Sequence, residues 1–367
     1  MKATPSSIPK YLLYGLKGIL CLGLLGVIVL GAFFCLPANI HYHVTEKYGF
    51  SGIGEDAPVY FGVMLPKSGP YQSIENVDIV WAGDIQEDDH DFVDVIKFYG
   101  NKRSQEDLEA TIEYDVKLPQ GTVSWSTPVE NFQRQPQAGI ESDCDCIQDQ
   151  ASRLCEGMSE EDAYEIYSFT SDYLTYSPED KDCTSISALQ AYKIGTCVCA
   201  GYARLMTALC RASGIPAQMM IGLVYPDSMH KSHATSFPKN PQEAHAWVEY
   251  YSEESWKMAD PTWATENLKF LQFNRNDGRH LAYGELEQVL AIDKGVEMWA
   301  LDQAEFVLGD DSCFRYIATS SSDQISFLPI TSIRKGWDGR WANTLIVWGI
   351  TVWLLCRYRK KIVSLPQ

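Results

Sequence analysis

The spacing of apolar and polar positions divides the chain into four stretches. Residues 19–36 (ILCLGLLGVIVLGAFFCL) run for 18 positions without a charge, and residues 341–356 (WANTLIVWGITVWLLC) for 16. Eighteen residues of helix rise roughly 27 Å, close to the thickness of a bilayer's hydrocarbon layer. Transmembrane helices are therefore predicted at 19–36 and 341–356. Tryptophans at the edges of the second run suit the headgroup layer. A cleaved signal peptide is the alternative for the first run, but its length favours an uncleaved anchor.

Between the two runs the period changes once. Residues 60–66, 76–83, 91–100 and 110–119 are short segments rich in Val, Ile, Tyr and Phe, separated by Gly, Pro, Asn and Asp. Such spacing predicts an antiparallel β-sandwich domain over 46–138. Its acidic stretch DIQEDDHD (84–91) has carboxylates that suit calcium, yet lacks the twelve-residue ligand spacing and reads as a solvated loop. After the polar stretch 131–146 the pattern turns helical. Residues 159–174 place Tyr164, Tyr167 and Leu174 on one face behind a Ser159–Asp162 capping box. Further helices are predicted over 184–192 and 199–213, the latter capped by Gly214. A strand follows at 215–225. Then HAWVEYY (245–251) and WKMAD (256–260) form a hairpin. With its turn about Ser252 and Glu253, Trp247 falls opposite Met258 and His245 opposite Asp260. The fold class is thus α+β, with a second domain over 155–335.

Charge orients this arrangement. Residues 1–36 hold three basic side chains and 341–367 hold four, with no acidic residue in either. By the positive-inside rule, the N-terminus (1–18) and the basic tail (357–367) face the cytoplasm and the middle is exported, anchored in the cell membrane. That middle carries 23 basic against 48 acidic residues, a net charge of −25. It repels a phosphate backbone, which excludes nucleic acid as a partner and leaves the lipid bilayer as the expected one. Of the 11 cysteines, eight lie outside the apolar runs, where export permits disulfides.

The hairpin carries the candidate chemistry. A carboxylate at Asp260 fixes the imidazole of His245, and the backbone N–H groups at a helix start favour negative charge on the sulfur of Cys199. Together they make a nucleophile, a base and its orienter. An inert, buried Cys199 is the rival reading. Cys210 lies on the packing face of its helix, and His230 and His233 fall in a polar loop. The Cys197-x-Cys199 spacing is not that of a zinc site, so neither metal nor cofactor is expected.

Four stretches then resemble a known family. CVCAGYA (197–203), GIPA (214–217), HAW (245–247) and DPT (260–262) are similar, in order, to motifs of the transglutaminase-like superfamily of papain-type cysteine enzymes. TYS (175–177) and SALQAYKIG (187–195) resemble the segment before its nucleophile. GRHLAYGE (278–285) resembles sequence after its core, without a role attached. The resemblance covers about residues 160–265. It implies a transglutaminase-like, papain-like catalytic domain, its cysteine helix docked on an antiparallel sheet, with Cys199 as nucleophile, His245 as base and Asp260 as orienter. Tyr176 and the Cys199 N–H are the implied oxyanion donors, Trp247 a wall of the cleft, and Trp263 packing behind Asp260. Cys197 stands where the family carries glycine, which leaves open a disulfide with Cys183, one with Cys199, or simple packing. The implied reaction is acyl transfer at amide bonds of a peptide or protein substrate, with hydrolysis favoured. Cross-linking of glutamine to an amine is the alternative, as is an inactive module that binds peptide or wall polymer.

Overall fold

A computed structural model describes residues 23–31, 36, 38–52, 57–91, 93–102, 108–177, 186–225, 243–264, 269–303, 306–310, 315–319 and 325–363. Two antiparallel sheets build the sandwich. In the first, β1 (Ala38–Gly52) lies between β6 (Leu108–Thr122) and β16 (Ile325–Asp338), while β3 (Ser73–Val80) and β12 (Arg275–Asp277) also pair with β6. In the second, the order is β14 (Phe306–Asp310), β15 (Arg315–Thr319), β2 (Ala57–Pro66), β5 (Val93–Lys102) and β4 (Asp84–Asp89). Alternation explains the stacking. Ala110, Ile112, Tyr114, Val116 and Leu118 are buried while the residues between them are not. They meet Tyr48, Phe50, Phe61 and Phe98, with the Phe61 and Phe98 rings stacked 5.3 Å apart.

Two expectations change here. The sandwich expected over 46–138 also takes β14 to β16 from 306–338. β1 has two edges to satisfy, and a partner nearly 300 positions away leaves no local trace in the sequence. DIQEDDHD is also not a loop. Its first six residues form edge strand β4, whose Asp88 pairs with Lys97 and Asp89 with Lys67. Charge on an edge strand discourages pairing with other chains.

The second unit packs four helices on a sheet ordered β11 (Ser255–Ala259), β10 (Glu243–Ser252), β9 (Ala217–Val224) and β13 (His280–Glu285). The helices are α1 (Asp145–Leu154), α2 (Glu160–Tyr173), α3 (Ala188–Ile194) and α4 (Cys199–Ala212). The Ser159 hydroxyl accepts the Asp162 N–H at 3.1 Å and starts α2 as predicted. Leu205, Met206 and Leu209 of α4 pack among Ile166, Tyr167, Val248 and Tyr250. A longer helix, α5 (Leu286–Gln303), ties the units together, because its Val289 and Val296 join the sandwich core with Leu281 and Tyr283.

The hairpin register is shifted by two from the sequence reading. Glu249 pairs with Met258 and Ser252 with Ser255, so the turn is Glu253–Glu254, both with positive φ (51° and 63°). Side chains alternate with period two, so a two-residue shift leaves His245 and Asp260 on one face, now as diagonal neighbours.

Of the two predicted spanning segments, the first is described at 23–31, as helix, and at 36, its other residues lying outside the described ones. The second falls within α6 (Gly339–Val363). Among the described residues no helix is long and apolar enough to cross a membrane. In α6 the apolar run is diluted by Asn343, Thr344, Gly349 and Thr351.

Candidate active site

The site forms where α4 begins and the β10–β11 hairpin ends. A short parallel pair, β7 (Thr175–Tyr176) and β8 (Thr196–Cys197), leads the chain into α4. Val198 at the N-cap is extended (φ −98°, ψ −177°) and supplies no side-chain cap. The Gly201 N–H bonds the Val198 carbonyl at 2.9 Å, which leaves the Cys199 and Ala200 N–H groups to face negative charge. Cys199 is half-buried and carries a free thiol, so it is not bridged to Cys197. Cys197 is fully buried, and a Cβ at Gly201 would lie 2.5 Å from both its Cβ and its Sγ. Close packing of Cys197 on the first turn of α4 thus requires glycine at 201. Cys183 lies outside the described residues, as do His230 and His233.

His245 is the hub. Its Nε2 lies 2.9 Å from Asp260 Oδ2, and Cys199 is its other hydrogen-bonding neighbour. With Nε2 taken by the carboxylate, Nδ1 is the nitrogen left for the thiol. Asp260 Oδ1 accepts the Thr262 N–H at 2.9 Å, which explains the spacing of the DPT stretch: the carboxylate is held by its own turn. Burial works against an imidazolium at His245, but the charge and hydrogen bond of Asp260, with Cys199 beside it, lift the group to about 10. Burial also opposes charge on Asp260. There His245, then His280, outweigh it and hold the carboxyl far below the usual range.

Sequence reasoning missed the far side of this carboxylate. His280 is fully buried, with Nε2 3.2 Å from Asp260 Oδ2 and Nδ1 3.0 Å from Asp277 Oδ1. Burial again opposes its charge and the two aspartates outweigh it, so His280 is raised. The result is a relay of five groups: Cys199, His245, Asp260, His280 and Asp277. The only signal was GRHLAYGE, and its meaning depends on β13 lying beside β9. Gly222 permits that approach. A Cβ there would meet the Leu281 carbonyl oxygen at 2.0 Å and the Trp247 ring at 2.9 Å.

Aromatic side chains flank the imidazole. Trp263 stacks on His245 with centroids 4.7 Å apart, and the Arg279 guanidinium sits 4.3 Å over Trp263. Trp247, expected in the cleft wall, is fully buried between His245 and His280. Tyr176 aligns with Cys197 in the parallel pair, and its ring lies 6.4 Å from that of Tyr202. His245, Asp260 and His280 also present donor atoms within 4.8 Å of one another, a set a metal ion could use. The same atoms here bond to each other.

Residues 148–261 match the model of the Transglutaminase-like superfamily, so this part of the chain is a transglutaminase-like domain. Among solved structures, a protein from Cytophaga hutchinsonii provisionally described as a cysteine protease is 14% identical, covers 82% of this chain and 93% of its own, and superimposes with a TM-score of 0.48. The periplasmic domain of TgpA from Pseudomonas aeruginosa, bound to ethylmercury, is also 14% identical, with coverage of 68% and 97% and a TM-score of 0.33. No curated protein matches the sequence.

Proposed function

We propose that the chain is an exported, membrane-anchored thiol hydrolase of peptide or protein amide bonds. The observation that carries this reading is buried His245 held between half-buried Cys199 and buried Asp260. Cys199 Sγ attacks the amide carbonyl with its proton already held on His245, and the Cys199 and Ala200 N–H groups at the start of α4 stabilise the oxyanion, with Tyr176 as second donor. His245 returns the proton to the departing amine. The resulting thioester is opened by water activated by the same imidazole, which releases the acid and restores the thiol. Arrival of an amine in place of water would form a new amide, the cross-linking alternative.

The membrane part rests on other observations. β1 and β16 place Ile40 opposite Asp338, so both apolar segments leave the sandwich side by side, as two anchors in one bilayer require. Leu345, Ile346, Trp348, Ile350 and Trp353 of α6 are all exposed, an apolar surface that a bilayer would cover.

The test is competitive alkylation by iodoacetamide at pH 6, read by peptide mass spectrometry. Cys199 is expected to react ahead of Cys144, Cys146 and Cys155, and to lose that lead in His245→Ala. Equal rates at all four thiols would leave an inactive binding module as the better reading. Incorporation of a fluorescent amine into casein, dependent on Cys199, would favour cross-linking over hydrolysis.

A further inference from the structure

On the sheet face opposite α4, a cavity of about 300 Å³ opens between the sandwich and the transglutaminase-like domain. This is the size range of small-ligand sites. Tyr71, Trp125 and Phe132 line it with aromatic surface, the first two with rings 5.0 Å apart. Two buried carboxylates also line it, Glu249 on β10 and Glu285 at the end of β13.

Neither carboxylate is matched by a bonded cation. Glu249 accepts the Tyr71 hydroxyl at 2.5 Å and the Gln218 side-chain N–H at 2.8 Å, both neutral donors. Burial pushes it up to about 7 against those two bonds. Glu285 Oε2 accepts the backbone N–H groups of Glu287 and Gln288 at 3.0 and 3.2 Å, whereas its Oε1 is buried without a hydrogen-bond partner. Arg211 acts on Glu285 through space: its Nε and Nη1 go to Ala217, Gln135 and Gln137, while its Nη2, like Glu285 Oε1, is buried without a hydrogen-bond partner. An unmatched buried carboxylate costs stability unless something binds it.

The backbone is arranged to place Glu285 there. β13 pairs Ala282 with Gly222 and Gly284 with Ile221, so Tyr283 is an extra residue that bulges the strand. Gly284 has φ +144°, a conformation that favours glycine. Without the bulge, period two would turn Glu285 to the α4 face. With it, Glu285 falls opposite Met220, on the face of Gln218 and Glu249. The two carboxylates then lie two strands and two residues apart, roughly 12 Å between Cα atoms.

We propose that this cavity is a binding site for a linear aliphatic dication, one ammonium taken by Glu249, the other by Glu285, with the alkyl chain along Tyr71 and Trp125. The separation of the carboxylates exceeds the span of one ammonium, and the aromatic faces favour a cationic chain over a neutral one. Buried Trp247 packs with Tyr71, Met220 and Ala282 on this side and against His280 on the other, so the site is separate from Cys199 and does not depend on the proposed hydrolysis.

Isothermal titration of the full chain at pH 8 tests the proposal, with 1,5-diaminopentane as probe and n-pentylamine and 1,5-pentanediol as comparators. The diamine is expected to bind best and the diol not measurably. Glu249→Gln and Glu285→Gln should each lower diamine affinity roughly tenfold or more, the scale of one charge-assisted contact. Both substitutions keep the side-chain shape, and unchanged thermal unfolding midpoints would show that the fold persists. Cys199→Ala should bind the diamine as the native chain does. Absence of saturable binding at millimolar diamine, equal affinity for diamine and diol, insensitivity to both glutamine variants, or loss of binding on Cys199→Ala would each overturn it.

Discussion

At the residue scale, the buried carboxylate of Asp260 governs the site. It lifts His245 from an ordinary value of 6.5 to about 10, so the imidazolium stabilises the folded chain. The sign follows from linkage. The contribution is complete below pH 6.5, where the unfolded histidine is also protonated, and is lost as pH rises through about 10. The urea midpoint difference between the native chain and His245→Gln should hold steady below pH 6.5 and then shrink, by at most about 1.4 kcal/mol per pH unit. A difference that stays flat to pH 10 would mean that His245 is neutral in the fold. His280 permits a second prediction. Removing it in His280→Ala leaves buried Asp260 and part-buried Asp277 with one partner fewer, a loss of about 3–5 kcal/mol in urea unfolding. Slower Cys199 alkylation should accompany that loss. His280→Gln should recover part of both, since its amide can still donate to Asp260; no change in either variant would remove His280 from the relay. Cys199, His245 and Asp260 were legible because their motifs are local: a helix start, an alternating strand, a turn. His280 was not, because its role arises only when β13 docks beside β9.

At the scale of elements, two close fits are open to test. Gly201 has no room for a methyl group because Cys197 fills the space, so Gly201→Ala should cost about 1–3 kcal/mol. Cys197→Gly, which restores the glycine of the related motif, should remove most of that cost in the double variant. Additive losses in a double-mutant cycle would show that the two positions do not share the space. The hairpin turn offers the opposite case. Glu254 sits at φ +63°, where a non-glycine residue is strained by about 1–2 kcal/mol, and its neighbour Glu253 rather than Glu254 pairs with Lys257. Glu254→Gly should therefore raise the thermal midpoint, and a lowered midpoint would refute the strain. This turn also shows why the hairpin was visible in sequence but its register was not. Alternation fixes which side chains share a face, whereas the loop residues fix the pairing, and two glutamates carry none of the usual signals for a turn with two positive φ angles.

At the scale of the whole molecule, the two ends of the chain complete one sheet. β1 pairs with β6 from Ala38 to Phe50 on one edge and with β16 from Ile40 to Gly52 on the other. The first pairing joins strands about 70 positions apart; the second joins strands nearly 300 apart and had no counterpart in the hydropathy pattern. β14 and β15 extend the second sheet in the same way, through β15 on β2. The sandwich is thus closed by residues that follow the transglutaminase-like domain, and that domain is an insertion into it as much as a neighbour. A chain of residues 38–338 keeps every one of these pairings and should unfold at the midpoint of the full chain. A chain of residues 38–303 keeps α5 but leaves one edge of β1 unpaired from Ile40 to Gly52, which favours association over folding. Size-exclusion chromatography and urea unfolding of the two truncations separate the possibilities. If the shorter chain remains monomeric with an unchanged midpoint, the C-terminal strands are an accessory to the sandwich. If it aggregates while the longer one does not, the fold holding Cys199 in place depends on strands laid down after the whole site has been synthesised.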